Sequence, residues 1–313
     1  MNNLIYSLNA TVPIFLLMVL GMVLRRLGII SEGFANDLNS FVFKIALPVM
    51  LFNQLAGVDI YECWDGRFVL FCFFVTLGVI LLTIALSFLI KDKSEQGEWI
   101  QAAFRSNSTL LGIALINNIY GESVAGSLMI IGCVPLSNTM SVIVLSLFRE
   151  QSTLNSSLIK ETFKDIINNP IIIGILIGLL WSLLGIPYPS IIDKSVTYIS
   201  NMASPLGLLA MGALFDVKEA QGALKESIFA SFLRLVVYVV IFMPMAIILG
   251  FRNAQLIAIL IILGASSAIS SFTMARNMGY SGIISSNTIM ITTLLCGFSI
   301  TLWIFILRCL GFI

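Results

Sequence analysis

Three clusters of small polar residues interrupt an otherwise apolar chain, and they hold the side chains best suited to gripping a ligand. Arg105 is followed by Ser106, Asn107, Ser108 and Thr109; Ser137 and Asn138 follow Pro135; and the run GASSAISS at 264–271 ends on Ser270 and Ser271. Hydroxyls and amides of this kind offer donors and acceptors without charge, and they also satisfy backbone groups freed where a helix breaks. The same Ser and Ala residues suit plain close packing of helices, so both uses stay open here. Four cations, Lys44, Arg105, Arg234 and Arg276, fall in or near apolar stretches whose middles carry no Asp or Glu. Charge at membrane depth is costly. Lys44, Arg105 and Arg276 are therefore candidates for attracting an anion, while Arg234, close to the end of its stretch, is expected to snorkel to the interface. Pro48, Pro135, Pro205 and Gly112 are candidate breaks or hinges.

Several chemistries are excluded by what is missing. The 313 residues include no histidine, which removes HExxH zinc sites, Ser-His-Asp triads and histidine proton relays. The five cysteines, Cys63, Cys72, Cys133, Cys296 and Cys309, form no CxxC or other metal-ligand spacing and read as packing residues. No pair of aspartates suits an aspartyl protease or a prenyl-diphosphate metal site, so an intramembrane enzyme is a distant alternative and no cofactor or metal is implied. The net charge of +1 gives no global attraction for nucleic acid.

The elements that must position these residues are membrane spans. Hydrophobic residues make up 58% of the chain, charged residues 11%, and the mean hydropathy is +1.03. Ordinary soluble domains carry roughly 25% charged residues, so lipid has to be the solvent for most of this surface. Apolar runs of about 20 residues, the length that crosses a bilayer, predict ten spans at 5–24, 38–55, 68–90, 99–120, 124–148, 166–184, 196–215, 228–249, 254–278 and 283–306. The first has no basic region before it and ends on Arg25 and Arg26, so it reads as a retained span rather than a cleaved signal. Arg25, Arg26, Lys91, Lys93, Arg149, Lys160, Lys164, Lys218 and Lys225 all fall in alternate connections; the opposite side has Arg67, Lys194, Arg252 and Arg308. The positive-inside rule then predicts both termini outside and the polar 149–165 linker in the cytoplasm.

The two halves repeat. Pro13, Gly21, Gly28 and Ile29 recur 157 positions later as Pro170, Gly178, Gly185 and Ile186, and Ala46 and Pro48 recur at that offset as Ala203 and Pro205. Gly121 and Gly279 are offset by 158. Each half has five predicted spans, an odd number, so the second must be inverted relative to the first. The expectation is an all-α polytopic protein with a five-helix repeat at 1–148, a linker at 149–165 and a second, inverted repeat at 166–313, an architecture of secondary transporters whose interrupted helices meet near the midplane.

These residues carry a resemblance. The stretch NSTLLGIALINNIYG at 107–121 resembles the fourth-helix crossover of the auxin efflux carrier family; GSLM at 126–129 resembles the start of that family's fifth helix, and residues 41–52, with IALP at 45–48, its second. Residues 169–185 and 204–215 are similar to its sixth and seventh, so the likeness extends along the chain. It implies the fold of sodium/proton antiporters and bile-acid transporters. Spans 1, 2, 6 and 7 would form a scaffold; spans 3–5 and 8–10 would form a transport domain that moves like an elevator, with broken helices 4 and 9 crossing at the site. The resemblance also implies a homodimer built through the scaffold, and for the prokaryotic type a malate, malonate or other organic-anion permease of the cytoplasmic membrane. Asn107 would take the crossover asparagine position. The prolines usual in the two crossovers are replaced by Ala114 and Ser271, and the family's third-helix acid would fall near Cys72, where no carboxylate stands.

The resulting expectation is a secondary transporter of a small organic anion. Asn107, Ser106, Ser108, Thr109, Ser137, Asn138, Ser270 and Ser271 would line the substrate site. A proton or sodium ion is the possible coupling partner. A sodium-coupled symporter or ion exchanger of the same fold is the alternative within transport; a membrane receptor, which has no need of a repeated crossover, is a distant one.

Overall fold

The computed structural model describes residues 2–57, 64–109, 115–116, 119–120, 124–149, 167–185 and 189–313, with only the backbone described at 2–11 and Val217. Gly112, Ala114, Gly121, Cys63 and nearly all of the 149–165 linker lie outside the described residues. Eleven helices organise the rest: α1 Asn2–Arg26, α2 Glu32–Ala56, α3 Gly66–Ser87, α4 Gln96–Phe104, α5 Val124–Leu147, α6 Pro170–Leu184, α7 Ser190–Ala213, α8 Leu224–Ile248, α9 Asn253–Gly264, α10 Ser270–Asn277 and α11 Ile283–Cys309. A short helix, Val217–Gly222, precedes α8. Among the described residues there is no strand, only one isolated bridge.

Five of these helices, α2, α3, α5, α8 and α11, are long and apolar enough to cross a membrane, and α6 and α9 are shorter apolar helices. The outward faces of the bundle carry Leu16, Leu70, Phe74, Leu180, Ile191, Ile248 and Phe305, all more than half exposed. Its interior holds Thr83, Ser227, Ser285, Thr288 and Thr292, all fully buried. Water would penalise such an arrangement and hydrocarbon favours it, because leucine and phenylalanine are at home in lipid while buried hydroxyls find helix carbonyls. Thr83, Ser227 and Thr292 do so, bonding the carbonyls of Val79, Ala223 and Thr288 one turn back at 2.6–2.8 Å. The protein is an integral membrane protein.

The helices form two groups. In the first, α1 packs against α7, and α2 against α6 and α7; in the second, α3, α4, α5, α8, α9 and α11 pack on one another, and α1 also packs against α11, joining the two groups. Close approach in the first group depends on repeated glycines. A Cβ on Gly21 would stand 2.3 Å from the Leu209 carbonyl of α7, and one on Gly178 would stand 3.0 Å from Leu55 and Phe52 of α2. Small residues are what allow helices to meet this tightly in lipid. The repeated pair Gly28 and Gly185 ends α1 and α6 at φ of 74° and 59°, a backbone region glycine enters without strain.

The prolines behave unequally. Before Pro48, α2 widens into a π turn at Val42–Ala46, closed by the Leu47 amide donating to the Val42 carbonyl. Pro48 has no N–H, and its ring would clash with the carbonyl four residues back, so a wider turn accommodates it. At Pro205 and Pro135, by contrast, α7 and α5 continue as unbroken α-helix. The break expected at Pro205 and at Pro135 is in neither case an interruption of the helix, and near Pro135 Ser137 Oγ donates to the Cys133 and Val134 carbonyls. A second π turn, Leu233–Val237 in α8, has no proline behind it.

Candidate functional site

The two predicted broken segments do interrupt, and they interrupt against each other. α4 stops at Phe104, and Arg105 is extended with φ −80° and ψ 111°; α9 stops at Gly264, and Ala265 is extended with φ −71° and ψ 164°. The two extended pieces run antiparallel. Asn107 N–H donates to the Ser266 carbonyl at 2.9 Å, and Ala268 N–H to the Arg105 carbonyl at 3.0 Å, forming the bridge Ser106–Ser267. Serine side chains complete the junction reciprocally: Ser106 Oγ donates to the Ile261 carbonyl of α9 at 2.9 Å, and Ser267 Oγ to the Ala102 carbonyl of α4 at 2.8 Å. The last carbonyls of a helix have no partner within it. Here Ser267 supplies a partner to a carbonyl in the last turn of α4, and Ser106 adds a second bond to the Ile261 carbonyl of α9, which gives small polar residues a use at both breaks.

Beside the crossing lies a cavity of about 50 Å³. By a measure in which one water takes roughly 10–15 Å³, that is room for a carboxylate-sized group. The crossing contributes residues 105–109 and 268–270 together with Thr273, α5 contributes Val134, Ser137 and Asn138, and the other helix group contributes Met50, Gln54 and Ser204 among others. The cavity therefore sits on the seam between the two helix groups. Asn107 Nδ2, Gln54 Oε1 and Thr273 Oγ1 are buried polar atoms with no partner among the described residues.

Arg105 is the cation of this cavity. It is 4% exposed, and one guanidinium nitrogen donates to Asn138 Oδ1 while another faces Met274 Sδ. With the Gln101 amide turned so that its oxygen points inward, Gln101 Oε1 also accepts from Arg105 at 3.2 Å. Asn138 is anchored in turn through Nδ2 to the Val134 carbonyl at 2.8 Å. All these partners are neutral, and the one ion pair among the described residues joins Arg25 to Glu32 on the surface.

The structure brings Arg105, Ser106, Asn107, Ser108, Thr109, Ser137, Asn138 and Ser270 together at the cavity. It leaves out three others. Lys44 is exposed on the outside of α2, because the face of α2 toward the interior is set by Phe43, Ala46 and Leu47. Arg276 lies away from the cavity, donating to the Ser281 carbonyl at 3.1 Å and to Asn36 Oδ1 of α2 at 3.2 Å. Ser271 is fully buried one residue past the lining, its amide tied to the Ala268 carbonyl at 2.9 Å. Gln54, Ser204 and Thr273 carry no sequence signal that separates them from other polar residues in helical runs.

Two further buried charges depart from the expectation. Arg234 does not snorkel: it is 0% exposed and donates to the carbonyls of Phe104 at 2.8 Å and Ala265 at 2.9 Å, and to that of Ile262. Glu98, also 0% exposed, stands one residue before the predicted fourth span. It accepts from the amides of Gly282 at 2.9 Å and Ser285 at 2.7 Å, at the first turn of α11. That is a favourable place for a carboxylate, since helix N-termini carry partial positive charge.

A bilayer-embedded bundle whose interrupted helices cross at a polar cavity defines a membrane transporter as the class of protein. The membrane transport protein family matches residues 6–304, and the chain belongs to it, the family to which the resemblance to auxin efflux carriers pointed. An uncharacterised transporter of Methanothermobacter thermautotrophicus is 23% identical over 95% of this chain and 97% of its own length. The Escherichia coli transporter YfdV is 23% identical over 97% and 99%. A Rhizobium meliloti protein that carries the provisional name of malonate transporter is 23% identical over 95% and 94%.

Proposed function

We propose that this transporter carries a small organic anion, a carboxylate of the size of malonate, and that Arg105 receives the negative charge. The observation that carries the proposal is a buried guanidinium beside a polar cavity, with only neutral side chains around it. A carboxylate would give Arg105 a charge-assisted pair in place of weaker neutral contacts. Asn107 Nδ2, Ser137, Ser270 and the N-terminus of α10 supply further donors around it, and a helix N-terminus favours negative charge. The name of the Rhizobium relative agrees with this chemistry.

The mechanism we infer is alternating access between two inverted repeats. The paired roles of Gly21 and Gly178, and of Gly28 and Gly185, support the repeat. The division into α1, α2, α6 and α7 against the remaining helices supports a scaffold and a moving transport domain, with the cavity on their seam. Both termini face outward in this reading, in agreement with the distribution of basic residues.

The test is uptake of labelled malonate, malate and lactate into proteoliposomes holding the purified protein, with and without proton and sodium gradients. Saturable uptake of at least one carboxylate, competed by the others and absent from protein-free liposomes, is the expected result. No carboxylate flux under any gradient, with the protein folded and inserted, would overturn the proposal.

A further inference from the structure

A cation stands at the crossing itself, and it belongs to the chain. Arg234 lies in the π turn Leu233–Val237, and α8 packs on both α4 and α9 through this region. Since no proline explains that turn, its effect is the informative part: it delivers the side chain into the junction. There the guanidinium meets three carbonyl oxygens, Phe104 from the end of α4 and Ile262 and Ala265 from the end of α9. Two helix C-termini, each equivalent to roughly half a negative charge, thus converge on one planar cation. No carboxylate joins them, because the single ion pair among the described residues is Arg25–Glu32. Converging carbonyls at the ends of broken helices are also what coordinates a sodium ion in transporters of interrupted-helix design.

We propose that Arg234 is a tethered cation: its guanidinium fills the carbonyl cage between α4 and α9 that would otherwise take a sodium ion, so that the crossing needs no sodium. A guanidinium suits the place because its planar fork reaches several carbonyls at once. It also satisfies carbonyls that lipid cannot, which binds the two helix ends into one unit. Arg234 is thus a positioning residue for the crossing, and this role holds whatever the substrate is.

The decisive measurement follows thermal unfolding of the purified protein in detergent, in sodium chloride and in choline chloride of equal ionic strength. The wild type is expected to unfold at the same temperature in both. Arg234→Ala should unfold earlier and recover as millimolar guanidinium chloride or sodium chloride is added, with no recovery in choline chloride. Arg234→Lys, which keeps a charge but reaches fewer carbonyls, should lie between the two and gain little from either ion. If Arg234→Ala does not fold, Arg234→Gln, which keeps much of the bulk and loses the charge, takes its place with the same expected recovery in guanidinium or sodium chloride and none in choline chloride. A purely structural arginine would give an alanine variant that no small cation rescues, and that result overturns the proposal, as would a wild type stabilised by sodium over choline. Malonate uptake forms a second arm: wild-type flux should be unchanged when choline replaces sodium, and a sodium requirement would again overturn the tethered cation. An absence of malonate uptake by the wild type would count against the anion proposal alone, since unfolding involves no malonate.

Discussion

Arg105 and Arg234 are both buried beside the crossing, 4% and 0% exposed, but their surroundings differ. Arg234 is enclosed by backbone carbonyls at the negative ends of two helices, which cannot turn away from it. Arg105 meets an amide oxygen and a thioether, side-chain groups that can rotate, and it borders a cavity. Two intramembrane arginines can therefore have opposite uses. Burial alone does not distinguish them; the rigidity and partial charge of their acceptors do.

That contrast can be broken most sharply at Arg105. Arg105→Gln should lower carboxylate uptake at least about 30-fold with the unfolding temperature little changed, because losing one partner of a buried charge pair costs roughly 2–5 kcal/mol of binding. Uptake and unfolding measured on one preparation check this; unchanged uptake would remove Arg105 from the site. Asn138→Ala should act more weakly, altering the apparent affinity by about two- to thirteenfold, in line with roughly 0.5–1.5 kcal/mol for one hydrogen bond that positions Arg105. Concentration-dependent uptake would reveal it.

Stability should separate the two serines of the crossing. Ser267→Ala leaves the Ala102 carbonyl without its hydroxyl, whereas Ser106→Ala leaves the Ile261 carbonyl still accepting from Ala265 N–H at 3.1 Å. The first should lower stability by about 1–3 kcal/mol and the second by about 1 kcal/mol or less. Comparing their unfolding temperatures is the check, and the reverse order would show that the junction is less reciprocal than its bonds suggest. The smallest effect is expected from Lys44→Gln, which removes an exposed charge outside the cavity. Carboxylate uptake should stay within about twofold of wild type, and a larger loss would return Lys44 to the site.

Much of this was legible in the sequence because lipid leaves the chain few choices. Apolar runs of spanning length favour helices, and the polar clusters at 105–109 and 264–271 coincide with helix breaks, whereas the cluster at Ser137 and Asn138 lies in an unbroken α5. What stayed hidden depended on rotation and proximity. Lys44 is a candidate for attracting an anion by its place in an apolar run, but its direction is set by which side of α2 Phe43 and Leu47 present to the core. Arg234 looked peripheral by its distance from the end of an apolar run, yet a π turn aims it inward. Glu98 was missed because it caps α11, a helix nearly two hundred positions away in the chain. Pattern along one segment cannot report a partner on another.

The Ser106–Ser267 bridge has a consequence for motion. Its two backbone bonds and two hydroxyl bonds fix the crossing residue against residue, so sliding α4 along α9 by a single position would break all four together. The junction acts as a rivet, and the plates on either side of it cannot shear. In the proposed alternating-access movement the polar ties across the seam, Arg276 to Asn36 at 3.2 Å and Asn277 to the Asn39 carbonyl at 3.4 Å, would have to yield, and the buried cluster of Met18, Leu208, Met211, Ile269, Phe272 and Ile289 that also crosses it would have to slide.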